Sequence, residues 1–402
     1  MIFLLITLTA AVVTFVACRL VLRFALKHGI HPPVRERDVH SRPTPRLGGV
    51  AMCIGLLVTF GIASLIPDLA GVFAEPTRIV ALLGGAIAIC IIGVLDDLFD
   101  LDWMLKLGAQ ILVATGVAFF GVQIVSLPIG GLTVPSSTMA IVLTVLIIVL
   151  VMNAVNFIDG LDGLVAGTTI IGSTAFFGYI WIISQNFSQQ NAYFSLASLI
   201  TAIIVGVCLG FLPVNWHPAR MFMGDGGALM LGLLTAASAI AVTGQIDIGT
   251  MGGRSQILPA FIPVLLPLAI LLLPMTDFVL AVVRRVINGN SPFAADRKHL
   301  HHRLLDMGHS HLGAVLIFYA WTTVVSVGCL LFLLPMPWWV AVGIMLAGFV
   351  LCGILTAAPV SRRVWRTFLR VVRERRAGHG KMAATDVDAR VGTQAEPQGD
   401  PR

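Results

Sequence analysis

A succession of apolar runs, each about twenty residues long, constrains this chain most, because a run of that length crosses the hydrocarbon core of a bilayer as a helix. In lipid every backbone polar group needs an internal partner, so a chain built of such runs folds as a bundle of spanning helices. Composition agrees. Of 402 residues, 57% are hydrophobic and only 11% charged, with a mean hydropathy of +0.94, whereas soluble domains carry about 25% charged residues. The expected fold class is therefore an all-α polytopic membrane protein.

Eleven spans are predicted, near residues 2–26, 47–66, 78–95, 104–122, 138–155, 163–183, 192–212, 226–243, 258–283, 313–334 and 337–358. The first reads as a membrane helix, since Ile2 to Leu22 has no basic residue ahead of it and no small-residue cleavage site after it. Residues 1–359 are expected to form one multi-helix transmembrane domain and 360–402 a basic tail. In the tail, Val364, Trp365, Phe368, Leu369 and Val372 recur at helical spacing among seven arginines, as in a helix lying on anionic lipid, and residues 377–402 read as disordered. Residues 123–135 read as a small outer hairpin. The six cysteines stand singly in apolar stretches, which excludes a disulfide framework and a cysteine metal cluster.

Orientation follows from Lys and Arg. Of 26 such residues, 22 fall in one alternate set of loops and the tail, two (Arg78, Arg254) in the other set, and two (Arg19, Arg23) inside the first span. The N-terminus is accordingly expected outside and the C-terminus in the cytoplasm. The net charge of +6 is confined to these loops, so nucleic acid is not an expected partner.

Four motifs carry chemistry, and all four fall in the predicted cytoplasmic loops. Asp96, Asp97, Asp100 and Asp102 close the third span, where ionisable groups are costly and functional. Such carboxylates can take a proton from a lipid phosphate or hold Mg²⁺. Asn153, Asn156, Asp159, Gly160, Asp162 and Gly163 follow the fifth span, with glycines that let backbone approach a ligand. Asn215, Phe222, Gly224 and Asp225 precede the eighth, placing an Asp where helix amides attract anions. Finally, Arg297, Lys298, His299, His301, His302 and Arg303 combine three histidines with three fixed cations within seven residues. That segment suits a diphosphate clamp, with zinc ligation as a rival. Together they supply carboxylates for a metal and for proton transfer opposite a basic clamp, the equipment of phosphoryl transfer.

In this ordered set the sequence resembles the polyprenyl-phosphate N-acetylhexosamine-1-phosphate transferase family over about residues 27–320. The resemblance rests on Asp38 and His40, the Pro43 to Gly49 segment with Arg46, the Asp96–Asp97 pair, Asn153 to Leu164, Gly224–Asp225, and His299 to His302. It implies Mg²⁺ as cofactor, with Mn²⁺ able to serve, and Asp225 and Asp97 as metal ligands. It implies catalytic roles for Asp96, Asp97, Asp159, His299, His301 and His302. It implies substrate contacts from Arg46, Lys106 (near the lipid phosphate), Asn156, Gly160, Asp162, Asn215, Phe222 (near the base) and Arg297. The partners implied are a UDP-sugar donor and a polyprenyl phosphate acceptor; anionic membrane lipids, from the basic tail, and a second copy of the chain are further candidate partners. The His299 to Arg303 segment resembles the GlcNAc-1-phosphate branch. Phospho-MurNAc-pentapeptide transfer is the alternative within the family, and an ion-coupled transporter the alternative outside it. A transporter would set its ionisable residues near mid-membrane, where only Asp277 stands.

Overall fold

The computed structural model describes residues 1–30, 44–124, 136–186, 192–242 and 304–357, with the single positions 283 and 287. Ten long helices lie among them: α1 (Ile2–His28), α2 (Gly48–Ala63), α3 (Pro76–Phe99), α4 (Trp103–Phe119), α5 (Ser137–Ile158), α6 (Leu164–Asn186), α7 (Ala192–Asn215), α8 (Gly224–Val242), α9 (His311–Leu331) and α10 (Trp338–Ala357). Each coincides with one predicted span to within a few residues. The remaining predicted span, 258–283, lies outside the described residues but for position 283, as do the hairpin residues 125–135 and the tail from 358.

Eight of these helices are long and apolar enough to cross a membrane. The other two, α2 and α4, have 16 and 17 residues. At 1.5 Å per residue they reach about 24–26 Å, short of a core about 30 Å thick. Of the eleven spans expected from hydropathy, the described residues hold eight helices of spanning length and two shorter apolar helices.

Helix α8 forms the centre. Seventeen of its nineteen residues are buried, because it is apolar all round and rich in Gly and Ala, which let neighbours approach closely. It packs against α3, α5, α7 and α2. The direction of each neighbour follows from residue pairs. Thr7 bonds Ala202 O at 3.1 Å and Gly210 backs onto Ala11, so α1 and α7 run parallel. Gly55 meets Thr14 midway along α1 while Gly48 bonds Phe222 O beyond the C-terminal end of α7, so α2 runs against them. Asn156 meets Asp225 and Gly232 meets Met152, so α5 runs against α8. One end of the bundle thus gathers the C-termini of α1, α3, α5 and α7 and the N-termini of α2, α4, α6 and α8. Tyr319 and His311 reach this end from the start of α9. Thr356, at the end of α10, meets His309 and Trp321 there. All six cysteines are free.

Candidate active site

The acidic end of α3 sets the floor of the site. A left-handed residue, Asp100 at φ 55, ends the helix. The turn that follows is held by Asp96, whose Oδ1 accepts from Leu101 N at 3.0 Å. Asp102 then caps α4 through Met104 N at 2.8 Å, a structural duty that leaves it outside the site. Capping α4 here aims Lys106 back at α3, where its Nζ donates to Asp96 Oδ2 at 2.8 Å. The same ammonium bonds Asp225 Oδ2.

Asp225 lies in the first turn of α8, and its position is fixed from three sides. Its amide donates to Asp97 Oδ2 at 2.8 Å, so α3 caps α8. Its carboxylate accepts from Asn156 Nδ2 at 2.9 Å and from Lys106. Behind it, residues 45–49 pair with 222–223: Phe222 N to Pro45 O, Gly48 N to Phe222 O and Gly49 N to Met223 O, at 2.8–3.0 Å. That pairing carries Arg46 to the site edge, with its guanidinium 3.6 Å from Asp97 Oδ1. Gly224 adopts φ +68, and a Cβ there would strike Asp97. The positive end of α8 faces this carboxylate cluster, a favourable alignment.

The α5–α6 loop forms the opposite wall. Asn156 belongs to the last turns of α5. Asn153, one turn deeper, bonds Gln110 Oε1 of α4 at 2.5 Å and so joins two helices rather than the loop. Gly160 is exposed. Partial burial, and the negative charge of Asp225 and Asp97, push the Asp159 carboxyl up from 3.8 to about 8. An acid raised in this way is neutral in the fold and ionised in the unfolded chain over that interval, so it removes stability as pH rises. Asp159→Asn is therefore expected to raise Tm in chelator-treated protein. The gain should be near zero at pH 4 and largest above about pH 8. Thermal melts across that range check this, and a pH-independent difference would contradict it.

Asp162 and Asn215 hold this wall in place. Asp162 is 5% exposed, and its Oδ2 accepts from Ala219 N at 3.1 Å and faces His217 Nδ1 at 2.8 Å. Asn215 receives Gly163 N at 2.9 Å and donates to Met221 O at 3.1 Å. Both buried side chains join the α5–α6 loop to the α7–α8 loop. Asp162, His217 and His311 bring ligand atoms within 4.8 Å of one another. The two rings are stacked, however, with centroids 4.4 Å apart and planes 15° from parallel. Their in-plane lone pairs do not converge on one ion in that pose.

Arg46, Asp96, Asp97, Lys106, Asn156, Asp159 and Asp225 are thus gathered around one point, from four segments far apart in sequence. Gly160 sits at the rim, and Phe222 contributes its backbone to the pairing behind Asp225. Arg297, His299, His301 and His302 lie outside the described residues. Residues that the sequence reading did not single out are Gln110, His217, His311 and Tyr319. Their signal is a polar side chain in an apolar run, visible for Gln110, but the partner of each is set only by tertiary packing.

Residues 79–243 match the model of glycosyl transferase family 4. The chain is 38% identical over 365 residues to the decaprenyl-phosphate N-acetylglucosaminephosphotransferase of Mycobacterium tuberculosis, covering 89% of each chain. It is 31% identical to a probable undecaprenyl-phosphate N-acetylglucosaminyl 1-phosphate transferase of Bacillus subtilis, over 75% of this chain and 76% of the other. With the undecaprenyl-phosphate alpha-N-acetylglucosaminyl 1-phosphate transferase of Escherichia coli it shares 28% identity, over 88% and 91%.

Proposed function

The chain belongs to glycosyl transferase family 4, among the polyprenyl-phosphate N-acetylglucosamine phosphotransferases, and we propose that it transfers GlcNAc-1-phosphate from UDP-GlcNAc to a polyprenyl phosphate, releasing UMP. The observation that carries this reading is the convergence of Asp96, Asp97, Asp159 and Asp225 with Lys106 and Arg46 at one end of an apolar helix bundle. Such a product begins a cell-envelope glycan.

The two sides of the site differ in a way that suits the two substrates. On the α3–α4 side, Phe99, Trp103, Met104 and Leu105 are between 54% and 70% exposed next to Lys106. That surface fits an isoprenoid chain, with the Lys106 ammonium placed for its phosphate. On the α5–α6 side the lining is polar, from Asp159, His217 and His311, with Asp162 holding the wall from behind, which fits a nucleotide. In the proposed reaction a lipid phosphate oxygen forms a bond to the donor's β-phosphorus. The bond from that phosphorus to the bridging oxygen breaks, and UMP leaves with the electron pair. Asp96 or Asp97 keeps the attacking phosphate ionised, while Lys106 and Arg46 offset its charge during the approach.

The residues also fit a Mg²⁺ cofactor. The donors are hard carboxylate oxygens, the set that Mg²⁺ and Mn²⁺ prefer, and a side-chain ammonium is already drawn between Asp96 and Asp225. Asp225 and Asp97 would hold the ion. Bound there, it would neutralise charge on the diphosphate.

We place this end of the bundle on the cytoplasmic face of a bacterial plasma membrane, with eleven crossings and an outer N-terminus. The concentration of Lys and Arg in the loops at this end supports that orientation. Inverted membrane vesicles test donor, cofactor and orientation together. Radiolabelled UDP-GlcNAc is expected to label the lipid fraction of inverted vesicles, with Mg²⁺ and without added detergent, and not that of right-side-out vesicles. UDP-MurNAc-pentapeptide is expected to give no label. Labelling by the pentapeptide donor alone would overturn the choice of sugar; labelling of right-side-out vesicles would overturn the orientation.

A further inference from the structure

The α5–α6 loop ends at Gly163, whose two backbone polar groups are both taken by side chains from distant helices. Its amide donates to Asn215 Oδ1 of α7 at 2.9 Å. Its carbonyl accepts from the Tyr319 hydroxyl of α9 at 2.6 Å, beside the bond from Gly167 N at 3.0 Å that starts α6. Gly163 itself is left-handed, at φ +77, so the chain reverses here between the loop and α6. The Tyr319 ring is seated against α6 one turn further on, where a Cβ added to Gly167 would meet it at 2.0 Å. The hydroxyl therefore registers α9 against the loop, and the ring registers it against α6.

The same loop carries Asp159, which feels the charges of Asp225 and Asp97, and Asp162, which ties it to residues 217–219. Only three residues separate Gly163 from Asp159. A shift of the Gly163 carbonyl is thus passed to the polar wall of the site, while Lys106 and Asp96, on α4 and α3, have no bond to it. Tyr319 touches none of the carboxylates around Asp225.

We propose that Tyr319 is a positioning residue for the sugar-nucleotide donor: by fixing the Gly163 carbonyl it sets the Asp159–Gly163 loop, and it has no part in acceptor binding. This rests on the donor side of the site being the polar α5–α6 wall, as proposed above. The hydroxyl acts through one hydrogen bond, and losing its net worth corresponds to roughly a five- to tenfold change.

The test is Tyr319→Phe, which keeps the ring against Gly167 and removes only the hydroxyl. In purified protein with both substrates varied, the expected result is a rise in KM for UDP-GlcNAc of about five- to tenfold, with KM for polyprenyl phosphate unchanged. A purely architectural role would lower Tm and active fraction and leave both KM values alone, and that outcome overturns the proposal. Equal rises in both KM values overturn it as well. Tyr319→Leu, which also removes the ring, is expected to lower Tm further. Wild-type protein run in parallel separates the two levels of inference: if it does not use UDP-GlcNAc, the functional reading has failed, and if it does and Tyr319→Phe matches it, only the role of Tyr319 has failed.

Discussion

Replacing Asp225 by asparagine is expected to lower turnover by about three orders of magnitude while the protein stays folded. The side chain is the meeting point of the site: Asn156 donates to one oxygen at 2.9 Å and Lys106 to the other. Asparagine keeps the shape and one acceptor oxygen, so at most one of these bonds is lost, at a cost of about 1.5–3 kcal/mol for a bond to a charged group. That cost is offset by relief of repulsion, since Asp97 and Asp159 both lie within the field of the Asp225 charge. What asparagine cannot supply is the negative charge that a divalent cation requires of its ligands. The measurement is initial rate against Mg²⁺ concentration for wild type and variant, with melting temperature as the folding control. Turnover within about tenfold of wild type, a difference of some 1.4 kcal/mol in barrier, would remove Asp225 from the metal site. Asp102→Asn is the internal comparison, because Asp102 serves only to cap α4.

The long-range order of the fold was legible in sequence because the bilayer imposes it. Apolar length alone located ten of the helices, and the alternation of basic loops implied the common end at which Asp96, Asn156 and Asp225 meet. What hydropathy does not encode is how long each helix is relative to the bilayer: α2 stops at Ala63 and α4 at Phe119, each three residues before the end of its apolar run. Asp102 sets where α4 begins, and the pairing of residues 45–49 with 222–223 fixes where α2 begins. Nor does it encode pairing. Lys106 was drawn to the site by resemblance, but that its ammonium joins Asp96 to Asp225 depends on the angle between α3 and α4. Asp162 and Asn215 were read as substrate contacts from the same motif set. Their carboxylate and amide are engaged with Ala219, His217, Gly163 and Met221, so any influence on a donor passes through the loop they hold. Tyr319 had no signal at all, because a tyrosine in an apolar helix looks like any other interfacial aromatic until its partner is known.

Glycine was another silent feature, and it leads to the second large expected effect. Where α3 crosses α8, Gly93 faces Gly226, and a Cβ on Gly93 would lie 2.2 Å from Gly226 N and 2.5 Å from the Asp225 carbonyl carbon. All the atoms it would meet are backbone, so no side chain can rotate aside. Gly93→Ala must push the first turn of α8 away from α3 by about 1 Å or more to restore ordinary contact. That turn carries Asp225, and the same movement stretches the 2.8 Å bond from its amide to Asp97. A misplacement of this size at a reacting centre costs on the order of 100-fold in rate, and overpacking costs roughly 1–3 kcal/mol in stability. Gly84, on the same helix, has nothing within 4 Å of its Cβ position, so Gly84→Ala gains helix propensity of up to about 1 kcal/mol and should leave the rate alone. Paired activity and melting measurements on the two variants check this. If Gly93→Ala keeps wild-type rate and melting temperature, the close α3–α8 crossing is not what fixes Asp225. If Gly84→Ala is equally damaging, the loss belongs to glycine in α3 generally and not to the crossing.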